Sequence, residues 1–117
     1  MANPAKRKGD TFERDVVAYL RDKGFRYVER AYGAGRPEDV GDLDGIPGWC
    51  FELKNHQRID LAGWVDEARR EQANARAQFS VVVAKRRGRP AAQAYVVMEL
   101  EQLARLLAER DALGVGS

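Results

Sequence analysis

The sequence predicts a mixed β-sheet covered by helices, in the order α-β-β-β-α-β-β-α, an α/β fold on the border of α+β. Three observations point there. Apolar residues recur at helical spacing in three stretches that open, divide and close the chain, around Phe12 to Leu20, Leu61 to Ala68 and Leu100 to Leu107. Between them lie short runs rich in aromatic and β-branched residues, bounded by Gly and Pro. At 117 residues the chain has material for one core and not for two.

Residues 1–9 are small, polar and basic, and read as a flexible arm ahead of one domain spanning 10–113, with 114–117 as a tail. The first helix is expected to start after Asp10 and to stop at Gly24, a residue suited to the left-handed cap. Phe25 to Ala31 reads as a strand, and the Gly- and Pro-rich stretch Tyr32 to Glu38 as a loop. Asp39 to Gly45 and Trp49 to Lys54 flank the turn signal Ile46-Pro47-Gly48, which predicts an antiparallel hairpin. If Pro47 is its midpoint, residues whose numbers sum to 94 face each other, and Asp42 lies opposite Glu52. Asp60 can cap a second helix reaching about Ala77, with Leu61, Trp64, Val65 and Ala68 inward and the run from Asp66 to Glu71 mostly outward. Phe79 to Ala84 is a nearly continuous apolar run, as expected of a strand buried on both faces. The basic turn Lys85 to Pro90 follows, then a strand over Gln93 to Met98, and a last helix carrying Leu100, Leu103, Leu106 and Leu107.

Composition excludes several function classes. No apolar run approaches the roughly 18 residues of a membrane span. One Cys and one His cannot build a disulfide framework or a Cys/His zinc site, and a reducing cytoplasm is the expected compartment. The net charge of +2 hides a concentration of basic residues, because Lys85, Arg86, Arg87 and Arg89 place four positive charges within five positions. Such a loop suits bidentate contacts to phosphates, although charge runs are commonly just solvated faces. Lys6, Arg7, Lys8 and Arg36 are candidates to extend the same surface. No aromatic residue interrupts the run, which favours contact with a duplex backbone over stacking on single strands.

The chemistry-bearing segment is Glu52-Leu53-Lys54. On a strand, a period of two puts Glu52 and Lys54 on one face and Leu53 on the other. With Asp42 across the hairpin, two carboxylates and an ammonium converge, which suits a hard divalent cation that takes oxygen ligands and completes its shell with water and phosphate. Lys54 would hold the attacking water and offset charge on a phosphodiester. A Glu-x-Lys arises about 0.4 times by chance in this composition, so its place in an otherwise apolar strand carries more weight than the tripeptide. The competing reading is a solvated surface pair.

The pattern Gly9-x-x-Phe12-Glu13-Arg14, Gly24-Phe25, Gly41-Asp42-Leu43-Asp44-Gly45 and Phe51-Glu52-Leu53-Lys54-Asn55 resembles the PD-(D/E)xK nuclease superfamily. Within it the chain most resembles the small Holliday-junction resolvases of archaeal type and their phage-encoded relatives, over residues 6 to about 100. The resemblance implies a restriction-endonuclease-like fold and Mg²⁺-dependent hydrolysis of DNA, with Mn²⁺ as a substitute, by a homodimer. It implies a catalytic set of Glu13, Asp42, Glu52 and Lys54, and metal ligands from Asp42, Glu52, Glu13 and the carbonyl of Leu53. Lys85, Arg86, Arg87, Arg89 and Arg36 would then contact DNA. One departure stands out. Pro37-Glu38-Asp39-Val40-Gly41-Asp42 does not set the proline beside Asp42, so Asp39 and Asp44 are rivals for its role.

Other residues carry two readings each. Asp10-Thr11-Phe12-Glu13 also fits a capping box, His56 is a general base or a polar loop residue, and Gln72 either reaches the site or is solvated. Trp64 belongs to the core or to a dimer interface, for which the last strand and helix are the other candidates. Two alternatives to a junction resolvase remain at this stage: a non-catalytic DNA-binding or assembly module of the same fold, and a repair or nicking endonuclease for other branched DNA.

Overall fold

A computed structural model of the chain describes residues 4–31 and 39–114, the side chains of 4–7 excepted. It is a mixed α and β fold in the expected order: α1 (Pro4–Asp22), β1 (Glu29–Arg30), β2 (Leu43–Asp44), β3 (Trp49–Lys54), α2 (Leu61–Ala75), β4 (Phe79–Ala84), β5 (Tyr95–Val97) and α3 (Leu100–Ala112). A short 3₁₀ turn, Ala91–Gln93, precedes β5. No helix among the described residues is long and apolar enough to cross a membrane.

The main sheet runs β3-β4-β5. β3 and β4 are parallel, with Glu52 opposite Val82 and Lys54 opposite Ala84, while β4 and β5 are antiparallel. A parallel pair needs a crossover, and α2 supplies it. β4 is buried at all six positions because helices cover both its faces. On one face Val81, Val83 and Leu53 pack with Phe12, Val16 and Val17 of α1; on the other Val82 and Ala84 pack with Trp64 and Ala68 of α2. Trp64 is therefore a core residue, 8% exposed.

Several boundaries differ from expectation. Residues 4–9 are helical and not an arm, since Pro4 takes the first helical position, where its fixed φ and missing N–H carry no cost. Asp10 consequently lies inside α1, and the capping box is replaced by an ion-pair cluster in which Arg30 binds Asp10 and Glu13 at 2.8 Å each. The strand expected over Phe25 to Ala31 shrinks to two residues, because Gly24 at φ +105° and the Phe25 N–H bond to Leu20 O wind the chain through a turn first. β2 pairs in a regular ladder with β1, not with β3. What ties it to β3 is the Asp42 N–H donating to Phe51 O (2.7 Å), since Gly41, Gly45 and Gly48 at positive φ lift the chain off that edge.

α3 forms as its leucine spacing predicts, but a polar residue takes its inward face. Gln102 faces inward and bonds the backbone and hydroxyl of Ser80, whose hydroxyl in turn donates to Gln72. Leu100, Leu103 and Leu107 remain exposed. A satisfied buried polar network fixes the helix rotation, and the leucines turn outward with it.

Candidate metal centre

Glu52 and Lys54 point from β3 toward α2, which contributes Glu67 and Glu71 one turn apart. Lys54 Nζ donates to Glu67 Oε2 (2.7 Å) and stands 3.4 Å from Glu52 Oε1. Asp42 arrives from the segment ahead of β2, held by the Leu53 N–H, which donates to Asp42 Oδ2 (2.7 Å). Its carboxyl lies close enough to Glu52 to share a hydrogen bond when one of them is protonated. Glu52 has the same relation to Glu71, and Glu71 to Asp39. Asp39, Glu67 and Glu71 each bring one oxygen within 4.8 Å of the others. Five carboxylates thus form a continuous chain, Asp42, Glu52, Glu71, Asp39 and Glu67, with one ammonium at its side.

Gly41 sets Asp42 in place. It adopts φ +100°, and an added Cβ would stand 2.9 Å from both Cys50 Sγ and Phe51 O. Gly41→Ala is expected to cost about 1–3 kcal/mol, read as a fall in thermal midpoint of several degrees per kcal/mol, with Asp42 displaced from Leu53. A wild-type midpoint would show that the segment relaxes freely and does not fix the site.

The electrostatics follow from burial. Glu52 and Glu71 are 5% and 2% exposed, and Glu52 Oε2 and both Glu71 oxygens meet no hydrogen-bond donor among the described residues. Desolvation, then the neighbouring Glu52 charge, pushes Asp42 up to about 8. Desolvation and the neighbouring Glu71 carboxyl push Glu52 up to about 8, and desolvation and Asp39 push Glu71 to about 7. Burial works against the Lys54 charge, but the Glu67 hydrogen bond and the adjacent carboxylates outweigh it and hold its pKa above the ordinary lysine value. Burial also pushes the Cys50 thiol up to about 12, so it is protonated and inert as a nucleophile or ligand at neutral pH.

Orphaned buried carboxylate oxygens in an all-oxygen set fit a hard divalent cation such as Mg²⁺ or Mn²⁺. Of the residues singled out from sequence, Asp42, Glu52, Lys54 and the rival Asp39 come together here. Glu13 is near enough to act on the Asp42 charge, but its Oε2 is occupied by Arg30. Asp44 sits opposite Glu29 in the β1–β2 ladder. Gln72 is committed to the Ala77 and Gln78 carbonyls and to Ser80, so the α2 residue in the site is its neighbour Glu71. Glu67 and Glu71 belong to the run expected to face mostly outward, yet Glu71 is buried: both follow Trp64, by three and seven positions, on the helix face that Trp64 and Ala68 bury.

Lys54 also lines a second feature, a groove of about 550 Å³. Its walls carry Lys8, Lys85, Arg86, Arg87 and Arg89, and none of its lining residues is acidic. The turn that presents them is ordered by Lys85 Nζ, which donates to the carbonyls of Arg86 (3.3 Å) and Arg89 (2.9 Å). Arg86 lies over the Tyr95 ring, 4.9 Å from its centroid. Asn55 donates to Lys8 O, which brings the start of α1 to the groove. His56 is exposed and stands against the Trp64 ring at 5.7 Å, on the groove side and beyond the carboxylates. Arg36 lies outside the described residues, as do the side chains of Lys6 and Arg7. No protein-family model matches the chain.

Proposed function

We propose that this chain is a divalent-metal-dependent DNA endonuclease acting on branched DNA, four-way junctions foremost, as a homodimer. One observation carries the reading: Lys54 belongs to both features, its ammonium between Glu52 and Glu67 and its side chain at the wall of the basic groove. A phosphodiester seated in the groove would meet Lys54, whose ammonium is in contact with the carboxylates.

Asp42, Glu52 and the Leu53 carbonyl would hold Mg²⁺, with Glu13 as the acid nearest on α1. When bound, the cation supplies a Lewis acid for the phosphate oxygens and lowers the pKa of a coordinated water. Lys54 is charged at neutral pH, so it orients the attacking water by donating to it and offsets the charge growing on the phosphate. Arg86, Arg87 and Arg89 grip flanking phosphates, Lys85 chiefly shapes the turn, and Lys8 extends the contact. The superfamily likeness in the spacing of Asp42, Glu52 and Lys54 supports the same chemistry.

Two cuts across a junction call for two sites related by symmetry. The outer edge of β5 is unpaired among the described residues, Tyr95 and Val96 are exposed on that strand, and Leu100, Leu103 and Leu107 are exposed on α3, which follows it. That face supports a second copy docking there, whereas buried Trp64 does not.

The test is a panel of four-way, flap and linear duplex DNA with Mg²⁺ or Mn²⁺ and a chelator control. Chelator-sensitive cleavage of the four-way substrate is expected. Junction binding without cleavage would leave a non-catalytic DNA-binding module. Cleavage confined to flaps or linear duplex would leave another repair nuclease. Replacing Arg86 and Arg87 by Ala together is expected to weaken DNA binding and reduce the slope of log affinity against log salt by about two. An unchanged slope would remove the turn from the interface.

A further inference from the structure

The carboxylate chain is longer than one cation needs. Asp42 and Glu52 suffice, with a carbonyl and water, for one Mg²⁺. Beyond them Glu71 is 2% exposed, with both carboxylate oxygens buried and meeting no donor. An unpartnered buried carboxylate costs several kcal/mol, and its neighbours Asp39 and Glu67 add to the repulsion. Yet each of these three side chains brings an oxygen within 4.8 Å of the other two. Asp39 is braced for this by the Gly41 N–H donating to its Oδ1 (3.0 Å), and Asn74 donates to its carbonyl. Glu67 has one oxygen on Lys54.

We infer that Asp39, Glu67 and Glu71 form a second divalent-cation site, adjoining the Asp42–Glu52 site through the contact between Glu52 and Glu71. It extends the nuclease reading, on which it rests for the first cation. Charge supports the count. Five carboxylates and one ammonium leave a formal −4, which two divalent cations balance and one does not. Geometry supports the ligand class. Separations up to 4.8 Å are close to the span of roughly 4–5 Å between opposite oxygens around Mg²⁺ or Ca²⁺, so small side-chain rotations close the shell. Asp39, Glu67 and Glu71 would hold the second cation, which would add a further Lewis acid to the centre.

The experiment titrates Mn²⁺ alone into the ion-free full chain, following heat and the electron paramagnetic signal. Two ions per chain are expected, with the spin coupling of neighbouring Mn²⁺. Glu71→Gln and, separately, Asp39→Asn at its exposed position are each expected to lower the count to one and abolish the coupling. Asp42→Asn should also leave one ion. Circular dichroism confirms that each variant is folded, and either of the Asp39 and Glu71 variants alone decides the matter if the other is not. A single ion in the wild type, or two ions retained in Glu71→Gln and Asp39→Asn, overturns the second site. A single ion lost in Asp42→Asn but kept in Glu71→Gln removes the second site and leaves the nuclease reading intact. Two coupled ions with no cleavage of any DNA removes the nuclease reading and leaves the second site standing.

Discussion

Replacing Glu52 by Gln is expected to lower metal-dependent DNA cleavage by about 10³-fold or more while leaving affinity for DNA close to wild type. Glu52 stands between Asp42 and Glu71 in the carboxylate chain, with Lys54 at 3.4 Å. Gln keeps the shape but removes the charge that would hold the proposed cation, and a divalent ion supplies several kcal/mol of transition-state stabilisation, with each 1.4 kcal/mol worth tenfold. The groove cations are untouched by the substitution, so binding and its salt dependence should persist. Single-turnover cleavage and a binding isotherm on the same four-way substrate separate the two effects. Wild-type cleavage by Glu52→Gln would remove these carboxylates from the chemistry, and loss of binding with normal cleavage would invert the assignment of site and groove.

The second large effect is on stability in the absence of divalent ions. Asp42, Glu52 and Glu71 hold protons in the folded chain up to about 8, 8 and 7, well above their ordinary carboxyl values of 3.8, 4.5 and 4.5. Between those limits the folded state binds more protons than the unfolded state, so unfolding free energy falls as pH rises. Below about pH 4 both states are protonated and the effect vanishes; above about pH 8 the loss is complete. Its size is several kcal/mol, shared among coupled groups. Thermal unfolding in chelator should therefore show a midpoint that drops by many degrees between pH 5 and 8. Adding Mg²⁺ at pH 8 should restore it, because an ion that binds only the folded state stabilises it. Glu71→Gln should flatten the pH profile and raise the ion-free midpoint at pH 8, since it removes one of the repelling charges. A midpoint that is flat or rising from pH 5 to 8 would show that these carboxyls ionise without strain.

Much of the fold was legible because local patterns matched the tertiary demand. The continuous run Phe79 to Ala84 became a strand buried on both faces, and Asp60 caps α2 by accepting from the Gly63 N–H (3.0 Å). Elsewhere local pattern and packing disagreed. The leucines of α3 mark the helix by their spacing, but the inward position goes to Gln102, which bonds the Ser80 backbone. The hairpin signal around Pro47 was real as a turn, yet the glycines beside it diverted β2 to β1.

The site divides in the same way. Strand alternation alone placed Glu52 and Lys54 on one face, and Asp42 reaches β3 through its N–H to Phe51 O and the Leu53 N–H to its carboxylate, although the expected hairpin ladder is absent. Which distant groups meet that face depended on the crossover of α2 and on the path through Gly41, and these brought Glu67, Glu71 and Asp39 to it. Arg30 decided the fate of Glu13 by occupying one of its oxygens. Sequence by itself determined the element order and the acid–lysine strand, since backbone periodicity is local. Only the tertiary structure decided how many carboxylates share the buried space, because desolvation and charge repulsion arise between residues that packing, and not spacing, brings together.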